Sequence, residues 1–238
     1  MAEATPYVDT EVRGHVLVVQ LQRQSRRNAI NADITAGIDS ALNELDDNPD
    51  LWCGVLTGDD SVFSAGADLA AGPGEPTERG GIAGIITRQR AKPLIAAVEG
   101  MALGGGMELV LSCDMVIAST TAQFGLPEVK RGLMPDFGGA FRVARHLPIN
   151  IAREILLTGE NLSAERAERL GFVNRVVAPG EALGAALEMA QAVCANAPIA
   201  VREALQIVNR ECNGDETALW ELSDAAHERL LQTEDVKE

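Results

Sequence analysis

Three carboxylates and a run of glycines are the residues of this chain whose types and spacing suit chemistry. In "ALGGGMEL" (102–109), Gly104, Gly105 and Gly106 lead into Glu108 inside an apolar run that continues as "VLSCDMVIA". Twenty residues on, "FGLPEVKRGLMPDFGG" places Glu128 after a proline and Asp136 before Phe137 and two glycines. Glycine lets a ligand come close to the backbone, and the N–H groups of a helix's first turn point at it. Such donors stabilise a carbonyl oxygen that turns negative during reaction, each contributing about 3 kcal/mol when preformed. A second donor is needed, and "SAGADL" (64–69), where glycine and alanine again leave the backbone accessible, offers Ala67.

Glu108 falls in the first turn of the expected helix. The helix dipole lowers the pKa of a carboxyl there and apolar surroundings raise it; a plain first-turn or capping glutamate is the simpler alternative. Carboxylates on separate loops that face one substrate can act as acid and base when their surroundings push their pKa values apart. The simpler alternative for Glu128 is a surface pairing with Lys130 or Arg131. The glycines lack the GxGxxG spacing and no Walker lysine follows, so a nucleotide-phosphate loop and a dinucleotide-dependent oxidoreductase are disfavoured. His15, His146 and His227 have no partner at motif spacing and read as surface or structural residues.

These groups need elements to hold them. "HVLVVQL" (15–21) and "CGVLTG" (53–58) read as strands, and the segment between them, with Ile34, Ile38, Leu42 and Leu45 at helical spacing, reads as a helix. Strand, helix, strand is the order of an α/β fold. An exposed loop is expected over 71–81, then a strand at "PLIAAVEG", a turn and helix at the triple glycine, and a strand at "DMVIAS". From about 138 the pattern turns helical, in "GGAFRVARHL", "IAREILLTG", "SAERAERLG", "EALGAALEMAQAVCANAP" and "TALWELSDAAHERLLQ", interrupted by one strand, "FVNRVV".

The 238 residues are 46% apolar but only 3% aromatic, so the core must be built from Ala, Leu, Ile and Val. A net charge of −15 with no basic block disfavours nucleic-acid and anionic-membrane surfaces as partners. The longest apolar run, 101–118, carries Glu108 and Asp114 and is a poor membrane span. Cys53, Cys113, Cys194 and Cys212 are widely spaced and read as free thiols. "MAEATPYVDTEVRG" has no signal-peptide pattern, and a cytoplasmic location is expected.

Segments in the same order identify the chain's likeness. "SRRNAI", "CGVLTG…FSAGADL", "KPLIAAVEGMALGGGMELVLSCDMVIAS", "AQFGLPEVKRGL" and "LTGENLSAERAERLGFVNRVV" resemble the signature segments of the crotonase, or enoyl-CoA hydratase/isomerase, superfamily over nearly the whole chain. The resemblance implies an α/β fold with a crotonase-like ββα spiral core over 1–190 and a helical trimerisation or lid region over 191–238. It implies that the N–H groups of Ala67 and Gly105 form an oxyanion hole for an acyl-CoA thioester, with Glu108 and Glu128 as the catalytic glutamates. Ser25, Arg26 and Arg27 match the segment lining the CoA site, and the two arginines suit its phosphates. Ala65, Ala67, Asp68 and Leu69, with Gly105, match the strand ends that hold the pantetheine and adenine parts. Neither a metal nor a cofactor beyond the CoA of the substrate is implied, and a homotrimer or dimer of trimers is.

Two departures stand beside that match. Asp136, eight positions after Glu128, matches the third acidic residue of the family's dienoyl-CoA isomerases, although those carry an aspartate where this chain has Glu108. The chain also ends at "LLQTEDVKE", where family members continue through a basic segment that helps cover CoA. The leading expectation is a 2-enoyl-CoA hydratase; the alternatives are a double-bond isomerase using Glu108, Glu128 and Asp136, and a silent acyl-CoA-binding protein on the same fold.

Overall fold

Alternating apolar side chains with both faces covered make the central sheet. The computed structural model describes residues 7–213 and 216–232. In chain order the first half comprises β1 (Val8–Arg13), β2 (Val16–Leu21), α1 (Ala32–Asp47), β3 (Cys53–Thr57), β4 (Val62–Ser64), β5 (Leu94–Val98), β6 (Met101–Leu103), α2 (Gly105–Leu111), β7 (Met115–Ser119) and β8 (Gln123–Gly125). Then follow α3 (Gly139–His146), α4 (Ile149–Thr158), β9 (Leu162–Ser163), α5 (Ala164–Arg169), β10 (Arg175–Val177), α6 (Ala182–Cys194), α7 (Pro198–Asn213) and α8 (Thr217–Leu231).

The larger sheet runs β1-β2-β3-β5-β7-β10, antiparallel only between β1 and β2. Register aligns Val19, Leu56, Ala96 and Val116 in one row and Val18, Val55, Ile95 and Met115 in the next. The first row faces Ile34, Ile38 and Leu42 of α1, while the second faces Ala182, Ala186 and Ala190 of α6. That is why these strands read as unbroken apolar runs. Asn31 caps α1 by accepting the Ile34 N–H, and Lys92 closes its other end by donating to the carbonyls of Leu45 and Asn48.

A second, smaller sheet runs β4-β6-β8-β9, its first three strands parallel. Each coil of the chain gives one strand to each sheet, as β3 then β4, β5 then β6, and β7 then β8, which is the ββα spiral expected. The segments leaving the C-terminal ends of β4, β6 and β8 therefore lie side by side. Ala67, the triple glycine with Glu108, and Glu128 are on those segments.

Several elements differ from the sequence reading. β1 pairs with β2 although five of its six residues are exposed, so it has no apolar signature. α7 begins at Pro198, where the pattern suggested only the end of the preceding helix. The strand expected at "FVNRVV" is regular only from Arg175, because Phe172 and Val173 turn into the core. The boundary expected at 190 falls inside one continuous helix, α6, whose Ala190 is buried against the sheet. Cys53 and Cys113 are buried free thiols and Cys194 a partly buried one. The side chain of Cys212 and the tail 233–238, on which the incomplete-cover expectation falls, lie outside what is described.

Candidate active site

Close backbone packing explains the glycines. Gly104 caps α2 with φ of +54°, and its N–H donates to the Gly125 carbonyl at 2.9 Å, extending the β6–β8 pairing. A Cβ there would stand 3.1 Å from Glu128 Oε1, and one on Gly106 would strike the Ser64 carbonyl. Gly66, at φ of +99°, leaves no room for a Cβ beside the Leu103 carbonyl. The chain segments 64–67 and 103–106 thus touch main chain to main chain.

That packing sets Ala67 beside Gly105, where a Cβ on Gly105 would lie 3.2 Å from the Ala67 nitrogen. Gly105 is the first residue of α2, so its N–H has no partner within the helix. Ala67 forms a single-residue bridge with Ile30, but the bonds go from the Ile30 N–H to Gly66 and from the Asp68 N–H to Ile30. The Ala67 N–H therefore lies outside the bridge. Two neighbouring donors of this kind can hold one anionic oxygen.

Glu108 is only 2% exposed. It does not cap its own helix: its Oε1 accepts from the Gly139 N–H, the first of α3, at 2.8 Å. Burial, then the neighbouring Glu128, pushes its carboxyl well above the usual range, and the Gly139 N–H offsets this in part. Glu128, on the short turn Pro127–Arg131, has its Oε2 buried without a hydrogen-bond partner, and burial pushes its carboxyl up to about 7, with Asp136 adding to the rise. The surface pairing considered for Glu128 does not form with Lys130, which binds Glu160 at 2.8 Å.

Asp136 joins the two glutamates electrostatically, since its charge raises both. Its own carboxyl is raised by burial, and the nearby His227 works against that rise. His227 of α8, read from the sequence as a surface or structural residue, stands beside this group, its Nδ1 3.0 Å from Asp136 Oδ2 but off line for a hydrogen bond. α8 reaches this point because Glu216 binds Arg142 and Arg145 of α3, and Trp220 meets Phe141 edge to face at 5.1 Å. Gly138, at φ of +88°, makes room for the Trp220 ring. Phe137 is buried and stands against Gly105, walling the space beside the two donors.

Ser25 and Arg26 lie on an exposed single turn, Gln24–Arg26, with exposed Arg27 following at φ of +52°. The Ala65 N–H donates to the Arg27 carbonyl at 3.0 Å, so this turn lies against the Ala65–Leu69 segment. Leu69 is 67% exposed. The Asp68 carboxylate is already engaged, by Arg23 at 2.7 Å and by the N–H groups of Ala70 and Ala71. Sequence reasoning missed four residues that shape this region. They are Gly139, His227, Arg23 and the fully buried Asn28, whose amide donates to the Val62 and Phe63 carbonyls and accepts from the Arg23 N–H. The GG of "MPDFGG" was the one visible signal among them. Among the described residues, no three His, Cys, Asp or Glu are grouped to hold a metal ion, and no helix is long and apolar enough to cross a membrane.

Known proteins share this arrangement of sequence and fold. The sequence model of the family described as enoyl-CoA hydratase/isomerase matches residues 11–238. The short-chain-enoyl-CoA hydratase of Clostridium acetobutylicum is 39% identical, covering 96% of this chain and 90% of that protein. The mevalonyl-coenzyme A hydratase of Aspergillus fumigatus is 41% identical over 81% of this chain and 74% of its own. The structure of a carnitinyl-CoA dehydratase from Mycobacterium avium superposes with a TM-score of 0.93 at 42% identity, covering 98% of this chain and 95% of that one. With its spiral of paired sheets and a family match over nearly its whole length, the chain belongs to the enoyl-CoA hydratase/isomerase family.

Proposed function

We propose that this protein adds water across the 2,3 double bond of a 2-enoyl-CoA thioester. The observation that carries the reading is the pair of pKa-raised carboxyls, buried Glu108 and partly buried Glu128 with its Oε2 enclosed, set beside the Ala67 and Gly105 N–H groups. The two N–H groups hold the thioester oxygen. Burial and the charge of Glu128 favour the protonated form of Glu108, and burial favours that of Glu128, so that one of the pair can act ionised and the other protonated. The ionised member takes a proton from water as the hydroxyl adds to C3, and the protonated member gives its proton to C2. The enolate formed between those events is held by the two donors.

Arg26 and Arg27 meet the CoA phosphates, and Ser25, Ala65, Asp68 and Leu69 line the entry, Asp68 through its main chain. Neither metal nor further cofactor has a step in this scheme. Named hydratases and a dehydratase among the relatives support the reaction type. Exposed Ile199, Ile207 and Val208 on α7 support self-association as a trimer or dimer of trimers. The helical region from 191 supplies those contacts and the cover over the site. The free thiols suit a reducing cytoplasm.

The experiment is direct. Purified protein given crotonyl-CoA removes the absorbance of the conjugated thioester, and Glu108→Gln and Glu128→Gln each reduce the rate by about a hundredfold or more. Unchanged absorbance with crotonyl-CoA and with longer 2-enoyl-CoAs contradicts the reading.

Asp136 favours a second reading. Its charge bears on both glutamates, as a third proton-carrying group acting along a conjugated 3,5-dienoyl chain requires. In that case the enzyme moves double bonds and leaves water out.

A further inference from the structure

We propose that Arg23 is a positioning residue for the oxyanion pair, holding the Ala67 N–H in place through Asp68 and Ala29. This rests on the reading of Ala67 and Gly105 given above.

Ala67 has little else to fix it on its outer side. Its contact with the 27–30 segment is a single-residue bridge, flanked by the Ala65 N–H to Arg27, the Ile30 N–H to Gly66 and the Asp68 N–H to Ile30. Beyond Asp68 the chain turns out to exposed Leu69, Ala70 and Ala71, a turn whose one main-chain closure is the Gly72 N–H donating to the Asp68 carbonyl at 2.7 Å, so its hold on the bridge passes through Asp68.

Arg23 closes that end. One nitrogen, Nη1, donates to the Ala29 carbonyl at 2.8 Å and to Asp68 Oδ2 at 2.7 Å, so a single atom ties together the two chain segments of the bridge. The other Asp68 oxygen accepts from the Ala70 and Ala71 N–H groups, fixing the turn that follows. The Arg23 and Asp68 side chains are 12% and 14% exposed, and the hydrogen bond from Arg23 holds the Asp68 carboxyl below its usual range. The guanidinium also lies over the Tyr7 ring, and buried Asn28 accepts the Arg23 main-chain N–H. Arg23 is therefore anchored at both ends before it touches Asp68.

Positioning matters here because an oxyanion donor works only within about 2.7–3.1 Å of the developing charge. A small displacement of Ala67 leaves substrate binding nearly intact and weakens the transition state.

The test compares wild type, Arg23→Met, Asp68→Asn and the double variant. Each is measured for kcat and KM on crotonyl-CoA. Each is also measured for the red shift of p-dimethylaminocinnamoyl-CoA on binding, which reads polarisation of the thioester carbonyl by the two N–H groups. Arg23→Met is expected to lower kcat about tenfold with KM within about twofold, and to shrink the red shift. Asp68→Asn, whose amide oxygen still serves the Ala70 and Ala71 N–H groups, covers the case in which Arg23→Met does not fold. It is expected to do the same to a smaller degree, and the double variant to be no worse than Arg23→Met. A full red shift and wild-type kcat in both single variants, or a rise in KM alone, overturns the assignment. A wild-type protein that produces no red shift overturns the oxyanion reading itself, and the role of Arg23 with it.

Discussion

The first N–H of α3, at Gly139, donates to Glu108 Oε1 at 2.8 Å, joining a residue of the glycine-led helix to one 31 positions away. This bond helps to aim a buried carboxyl that also meets the main chain of Phe137. It also gives the second glycine of "MPDFGG" a role, since a Cβ at Gly139 would lie 2.7 Å from that oxygen and 3.0 Å from the Pro135 side chain.

Gly139→Ala therefore displaces the Glu108 carboxylate. The expected outcome is a fall in kcat of about ten- to a hundredfold with little change in KM, read by steady-state hydration of crotonyl-CoA. Wild-type kcat in a folded Gly139→Ala protein would show that the Gly139 bond does not aim the acid–base group.

Asp136 raises Glu128, so removing its charge must lower it. In Asp136→Asn the limb of the kcat/KM profile that reports Glu128, near 7 in the wild type, moves to lower pH. The same variant separates the two reaction types. Hydration persists in it, whereas turnover of a 3,5-dienoyl-CoA, where the wild type shows any, is abolished. Equal dienoyl turnover before and after the substitution removes Asp136 from that chemistry.

Burial of Glu128 also has a stability signature. Its carboxyl is raised from about 4.5 to about 7 on folding, so between those values the unfolded chain has released a proton that the folded one keeps. The protonated group's contribution is fully present below about pH 4.5 and is lost as pH rises through about 7, a loss on the order of 3 kcal/mol at neutral pH. Glu128→Gln is expected to flatten the decline in Tm over that window, measured by calorimetry from pH 5 to pH 8. Parallel Tm profiles for the two proteins would place Glu128 in water.

What the sequence revealed follows the range of the forces involved. α1 and the long parallel strands were legible because their apolar spacing is local, and Glu108, Glu128 and the glycines were legible because type and neighbour suffice. The strands of the second sheet, two or three residues each, are too short to carry a period, and β1 is paired by its backbone while its side chains face water. Arg23 and His227 act on partners far along the chain, so nothing beside them in sequence marks them, and Gly139 is marked only by the GG of "MPDFGG". Asp68 shows the same limit from the other side. Its motif pointed to ligand, while its carboxylate is taken up by Arg23.

The central claim is that water adds to a 2-enoyl-CoA at this pair of glutamates. Mass spectrometry of the products from crotonyl-CoA and from a 3,5-dienoyl-CoA, incubated with the enzyme in H₂¹⁸O, tests it most directly. The account predicts that crotonyl-CoA gives a 3-hydroxyacyl-CoA carrying one ¹⁸O atom, lost as a product when Glu108 or Glu128 is replaced by glutamine, and that the 3,5-dienoyl-CoA is left unchanged. A product of unchanged mass with a relocated double bond and no label would contradict it.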